Sequence, residues 1–391
     1  MSKKLYSVLA ILVLASMILA ACAPAATPAP EQKPAEPTKA PEQKPAEPTK
    51  APEPTAAPVE PTKAPEGATN ADCAKPEVLC VGLVTDVGKI DDKSFNQSTW
   101  EGVKQAEKDL GAVVQYIETT DPKDYMKNIG TFAEAKFDVI VTVGFALGEA
   151  TLEAAKQYPD VKFIGVDQFQ GEALANVAGL IFPEDNAGFL VGALAAQMTK
   201  SKKVGAALAT DAVPPVWRFG EGFKAGAAYI DPKVEVNVVY HNDVGLDKTF
   251  IDPEWGKTTA ISMIDKGVDV VFGAGGKTGN GALLGVAEKS TADKPVYAIG
   301  VDTDQYYTVP EAQKVLLSSA MKLLTPGTFD LIKMAKEGKF PAGNYVGEAG
   351  YAPFHDLDGQ VPAEVKAKME EIAKGLKDGS IKTNVPPTKP Q

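Results

Sequence analysis

The chain has 391 residues, 44% of them hydrophobic, and a formal net charge of −11 at pH 7. That length fits two domains or one large bilobal unit, and the acidic balance disfavours a nucleic-acid partner. Only two histidines occur, His241 and His355, in unrelated contexts, so neither a His-based metal site nor a histidine general base is expected.

The chain opens with an address. Lys3 and Lys4 precede an apolar run, "LYSVLAILVLASMILA", and small residues lead to Cys22 in "LAAC". This resembles a bacterial lipobox: a signal peptide over 1–21, then Cys22 as the lipid-attachment site holding the protein at a membrane surface. A plain signal peptide or an uncleaved anchor is the alternative. The run is too short, and ends too small, for a membrane-spanning helix.

A tether comes next, taken as 22–76. "PEQKPAEPTKA" occurs in tandem from Pro30 and from Pro41, and 13 of the 30 prolines lie between Pro24 and Pro65. Such a segment cannot bury a core and favours extended polyproline II, giving a reach on the order of 100 Å if stiff. Cys73 and Cys80 bracket the start of the folded part. An exported protein permits a disulfide between them, but a buried strand cysteine at position 80 is equally compatible with the pattern.

From Glu77 onward, short β-rich runs ("VLCVGLVT", "FDVIVTVG", "VKFIGVD", "KKVGAALAT", "VEVNVVY", "VDVVFGAG", "PVYAIGVD") alternate with amphipathic segments of helical length. That alternation predicts parallel sheets covered on both faces. The strands exceed what one sheet needs, and "GLIFPEDNAG", 179–188, reads as the changeover to a second. In open α/β sheets ligands lie beyond the carboxyl ends of the strands, so those loops carry the candidate site.

The first such loop is "VTDVGKIDDKSFNQSTW". Asp86 leaves a strand predicted over Val78 to Thr85, and Ser94-x-x-Gln97 reads as a capping box for a helix ended by Gly111. Trp100, Val103, Ala106 and Leu110 form that helix's inner stripe. Phe95 precedes the stripe at the helix mouth, where a ring can lie against a ligand. Asp91 and Asp92 read as turn formers. An EF-hand is excluded, because Gly88 stands where a second oxygen ligand is needed.

Later loops carry similar chemistry. "VTVGFALGEA" places Gly144 and Phe145 after a strand, and "IGVDQ" ends one in Asp167. "PPVWRFGEGFKAG" puts Trp217, Arg218 and Phe219 at a helix start. "VFGAGGKTGNG" brings Gly275 and Gly276 to a strand-to-helix turn, and "IGVDTDQ" ends in Asp302. The glycine-rich turn is neither phosphate motif: a Walker A needs glycine where Val271 stands, and the dinucleotide fingerprint needs one where Thr278 stands. No nucleophile–base pair, Gly-x-Ser-x-Gly elbow or metal-ligand spacing appears. Aromatics with carboxylates at strand ends suit holding a flat, polar, uncharged molecule without reacting with it.

Together "VGLVTDVGKIDDKSFNQSTWEGVKQA", "RFGEGFKAG", "DPEWGKTTAISMIDKGVDVVF", "AGGKTGNG" and "IGVDTDQ" resemble the basic membrane protein family, substrate-binding lipoproteins of ABC importers that include the purine nucleoside receptors. The resemblance runs from about Val81 to "LKDGSIKTNVP" and leaves the tether outside. It implies an α/β class with a type I periplasmic-binding-protein fold: two doubly wound parallel-sheet lobes joined by three hinge crossings, with 77–182 and 304–340 in the N-terminal lobe and 183–303 and 341–391 in the C-terminal lobe. It implies that Phe95 and Phe219 sandwich a base, that Asp86 and Asp167 bind its polar edge, and that Gly276, Asp302 and Lys322 hold ribose hydroxyls, with Asn96 and Phe145 secondary. Two places depart from the family pattern: Trp217 stands where an aliphatic is expected, and no Asp comes shortly after Lys322.

The function expected is capture of a nucleoside, of the purine type, by an extracytoplasmic monomer without cofactor or catalysis, anchored to the cell membrane through Cys22, for delivery to an ABC permease and its ATPase subunits. A receptor for another polar solute, such as a sugar, and a non-transport nucleoside sensor are the alternatives.

Overall fold

The computed structural model describes residues 73–390. The signal segment, Cys22 and the tether up to residue 72 lie outside the described residues. Residues 73–76, expected to belong to the tether, instead form a turn tied to the first strand by a Cys73–Cys80 disulfide with a Cα–Cα separation of 5.6 Å.

The elements run in chain order β1 (Cys80–Val87), α1 (Phe95–Leu110), β2 (Val113–Thr119), α2 (Tyr125–Glu134), β3 (Val139–Val143), α3 (Gly148–Gln157), β4 (Lys162–Val166), β5 (Val177–Ile181), α4 (Glu184–Met198), β6 (Lys203–Leu208), α5 (Pro214–Ile230), β7 (Glu235–Tyr240), α6 (Pro253–Asp265), β8 (Val270–Ala274), α7 (Gly276–Lys289), β9 (Tyr297–Asp302), α8 (Gln305–Thr308), β10 (Leu316–Lys322), α9 (Leu324–Lys336), β11 (Gly343–Val346), β12 (Ala349–Tyr351) and α10 (Ala363–Asp378). They build two six-stranded sheets, ordered β11-β5-β4-β3-β1-β2 and β12-β10-β9-β8-β6-β7. The first is parallel throughout. The second is parallel except for β12, which runs antiparallel to β10. The central strands are buried on both faces, as continuous apolar runs require.

The sheet order corrects the lobe boundaries. Crossings fall at 182–184, 322–324 and 346–349, so 304–322 belongs to the second lobe and 341–346 to the first. The expected break after residue 303 missed β10 because its central residues are Ser318 and Ser319, which interrupt the apolar run. Both serines are buried, and Ser318 Oγ donates to Ala352 O at 2.7 Å. After each of the first two crossings a helix packs on the lobe it enters: α4 against α5, and α9 against α1. In the α4–α5 pair glycines let the backbones touch, since a Cβ on Gly188 or Gly192 would strike the Phe219 or Phe223 carbonyl. That contact fixes where α5 presents Phe219.

Candidate functional site

Two strands that both read "IGVD" end where the lobes meet, one from each lobe. Asp167, just past β4, and Asp302, the last residue of β9, have φ of 60° and 66°, a left-handed conformation that Asp tolerates better than most residues. Both are buried. Lys322, the last residue of β10, is buried with them. Its Nζ lies 2.6 Å from Asp167 Oδ2 and 3.7 Å from Asp302 Oδ1, tying the second lobe to the first. Asp302 Oδ2 in turn accepts a hydrogen bond from Ser94 Oγ of the first lobe at 2.7 Å.

Three phenyl rings surround this ammonium. Its nitrogen lies 4.7 Å from the Phe95 centroid, 5.6 Å from Phe182 and 5.6 Å from Phe219, within cation–π range. Phe95 opens α1 in the first lobe and is half-buried. Phe219 comes from α5 of the second and is only 2% exposed, set edge-on to Phe272 at 6.0 Å. Rings from opposite lobes thus approach one point.

The charge balance at that point is acidic. Burial pushes the Asp86 carboxyl up to about 8, with Asp92 and Asp167 adding to the rise. Asp86 lies against Gly144, where any Cβ would collide with the carboxyl group. Burial also takes Glu184 up to about 7, an effect that Lys322 and Arg218 oppose and Asp167 reinforces. Burial by itself would lower the Lys322 pKa, but Asp167, Asp302 and Glu184 hold it above the ordinary lysine value. Asp167 Oδ1 and Asn96 Oδ1 are buried without a hydrogen-bond partner among the described residues, an arrangement that costs stability unless a donor arrives. Among the described residues no three His, Cys, Asp or Glu groups converge as metal ligands.

The remaining expected residues are placed less centrally. Asn96 donates from Nδ2 to Lys89 O at 3.2 Å and so staples the loop beside Asp86. Phe145 comes directly after Gly144 but is 42% exposed. Gly276 starts α7 with φ 55°, one residue before Lys277, whose Nζ reaches Asp91 at 3.2 Å. The capping box is corrected: Ser94 makes no side-chain cap, because its hydroxyl is committed to Asp302. Asp92 caps α1 instead. Its Oδ1 accepts from Ser94 N and Gln97 N at 3.0 and 3.1 Å, and its Oδ2 from Asn96 N at 2.9 Å. Burial raises its pKa to about 6 against those three donors.

Sequence reasoning missed Phe182, Glu184 and Ser94 as members of the cluster. Phe182 and Glu184 lie in the stretch read only as a changeover. An acid and an aromatic within a hinge crossing were the available signal. Arg218 pairs with both Glu184 and Asp185, its Nε 3.1 Å from Glu184 Oε2.

Comparison with known proteins identifies a family. The family described as ABC transporter substrate-binding protein PnrA-like matches residues 80–347. A CD4+ T-cell-stimulating antigen of Listeria monocytogenes is 33% identical over 326 residues, covering 79% of this chain and 88% of that protein. The ABC transporter nucleoside-binding protein BmpA of Lactococcus lactis is 31% identical, covering 68% and 78%. A solved ABC-transporter solute-binding protein from Aeropyrum pernix superposes with a TM-score of 0.69 at 26% identity, covering 78% and 92%. The family match spans most of the two parallel-sheet lobes, and the chain belongs to the family of PnrA-like ABC transporter substrate-binding proteins.

Proposed function

We propose that this substrate-binding protein captures a purine nucleoside between its lobes. The observation that carries the reading is the approach of Phe95 and Phe219, from opposite lobes, to one point lined by Asp167, Asp302 and Lys322, with Asp86 close enough to Asp167 to feel its charge. Phenyl rings offer stacking surface to a flat base. The unpartnered Asp167 Oδ1 is an acceptor for its N–H edge, Asp86 with its proton retained up to about pH 8 offers that polar edge a donor as well as an acceptor, and Asp302 with Lys322 suits ribose hydroxyls. The printed name of the Lactococcus lactis relative supports the same ligand class. Contacts from both lobes favour the closed arrangement, and that arrangement is the form delivered to the permease and its ATPase subunits. Lipid on Cys22 would hold the receptor, as a monomer, on the extracytoplasmic side of the membrane. Relatives described as lipoproteins support this placement, and no helix among the described residues is long and apolar enough to cross a membrane.

Calorimetry with inosine, guanosine and adenosine is expected to give saturable binding, with none for the corresponding monophosphates, since Lys322 is already paired with Asp167 and Asp302 and a phosphate would be set against those carboxylates. Tight binding of a monophosphate, or of a free sugar in preference to any nucleoside, overturns the proposal. Release of free base during incubation would indicate hydrolysis instead.

A further inference from the structure

The loop between β1 and α1 meets the second lobe through its backbone. Asn280 Nδ2, on α7, donates to Asp92 O at 2.8 Å. Gln305 Nε2, on α8, donates to Lys93 O at 3.1 Å and to Asn280 Oδ1 at 2.8 Å. Thr308 Oγ1 donates to the same Lys93 carbonyl at 2.7 Å. Lys93 has φ 64°, a left-handed backbone conformation that a non-glycine residue adopts at a cost. Gln305 is fully buried, and its Oε1 accepts from Val301 N at 2.9 Å, so the donor is anchored to the very strand that ends in Asp302.

These contacts differ in kind from those around Lys322. The acceptors on the first lobe are main-chain carbonyls, and the three donors spend their hydrogens there rather than on Asp167, Asp302 or the phenyl-ringed cluster. Their energy therefore distinguishes joined lobes from separated ones and discriminates between no two ligands. We infer that Asn280, Gln305 and Thr308 form an interlobe clasp that sets the affinity of the cleft from outside it, acting as positioning residues. The clasp lowers the cost a ligand must meet to hold the lobes together. The inference builds on the nucleoside reading for its affinity readout but not for its structural one.

Thr308→Val and Asn280→Ala test it in the full-length protein; Gln305 is left intact because it also supports β9. Hydrogen exchange of ligand-free protein is expected to speed up in peptides spanning 88–96, 276–281 and 303–309 and nowhere else. Thr308→Ser, which keeps the donor, is expected to restore the native rate. Affinity for inosine, guanosine and adenosine should fall by one common factor, about 3- to 10-fold per lost hydrogen bond. The clasp is overturned by unchanged exchange in those peptides, by acceleration that spreads to the core strands, by failure of Thr308→Ser to restore the rate, or by losses that differ between nucleosides. Should no nucleoside bind at all, the ligand reading fails while the exchange result still decides the clasp.

Discussion

The two lobes end corresponding strands with the same four residues and put the adjoining glutamine to different use. In each, a glutamine folds back over the strand's glycine: Gln168 over Gly165 and Gln305 over Gly300, at positions where a Cβ would collide with it. Gln168 then spends its amide inside its own lobe, donating to Thr142 O at 3.1 Å and Gly144 O at 3.0 Å. Gln305 sends its amide across to Lys93 of the other lobe. The aspartates diverge as well. Asp167 takes the close contact to Lys322, whereas Asp302 accepts from Ser94 and stands farther from the ammonium. One strand end is therefore self-contained and receives its cation from the partner lobe. The other is built to reach out.

Removing the shared cation breaks this comparison most severely. Lys322→Met leaves Asp167 and Asp302 buried without their counter-ion, and denaturant unfolding should register a loss of about 3–5 kcal/mol. A loss below about 1 kcal/mol would mean the lobes do not share the charge. The ring pair comes next. Phe219→Ala opens a cavity in a packed core and is expected to cost about 3–5 kcal/mol, while half-buried Phe95→Ala should cost clearly less stability; both should weaken a base-bearing ligand more than a sugar. Equal stability losses would contradict the burial difference between the two lobes.

The glycines sharpen the contrast further. Gly165→Ala and Gly300→Ala each overpack a glutamine and are expected to cost about 1–3 kcal/mol. Only Gly300→Ala should also speed exchange in the 88–96 loop, because only Gln305 crosses between lobes. Acidity adds a change spread over several pH units. The folded-state pKa of Asp86, about 8, lies above its ordinary value of 3.8, so the folded protein holds the proton more tightly. Stability from this group is full below about pH 4 and is lost as pH rises through about 8. Melting of ligand-free protein is expected to drop between pH 5 and pH 8, and Asp86→Asn should flatten that slope. An unchanged slope in the variant would place the titration elsewhere.

Much of the architecture was legible from residues alone. Continuous apolar runs separated by amphipathic ones require parallel sheets with helices on both faces, since each run must bury two faces at once. The first helix, its Gly111 terminus with φ 69°, and the changeover at 179–188 were readable for the same local reasons. Strands without that signature were not. β2 is half-buried along most of its length at a sheet edge, and β10 hides its serines behind hydrogen bonds made by segments distant in sequence. Local pattern therefore misplaced the second crossing.

The site divides along the same line. Sequence by itself marked Asp86, Asp167, Asp302, Phe95 and Phe219, because a strand end or helix start facing a cleft is a local property. Only the tertiary structure decided how they relate: that Lys322 bridges two aspartates from different lobes, that Asp92 rather than Ser94 caps the first helix, and that Gln305 holds a carbonyl 212 residues away. A hydrogen bond or ion pair between lobes depends on where the chain returns after a crossing, and the residues at its two ends carry no mark of one another.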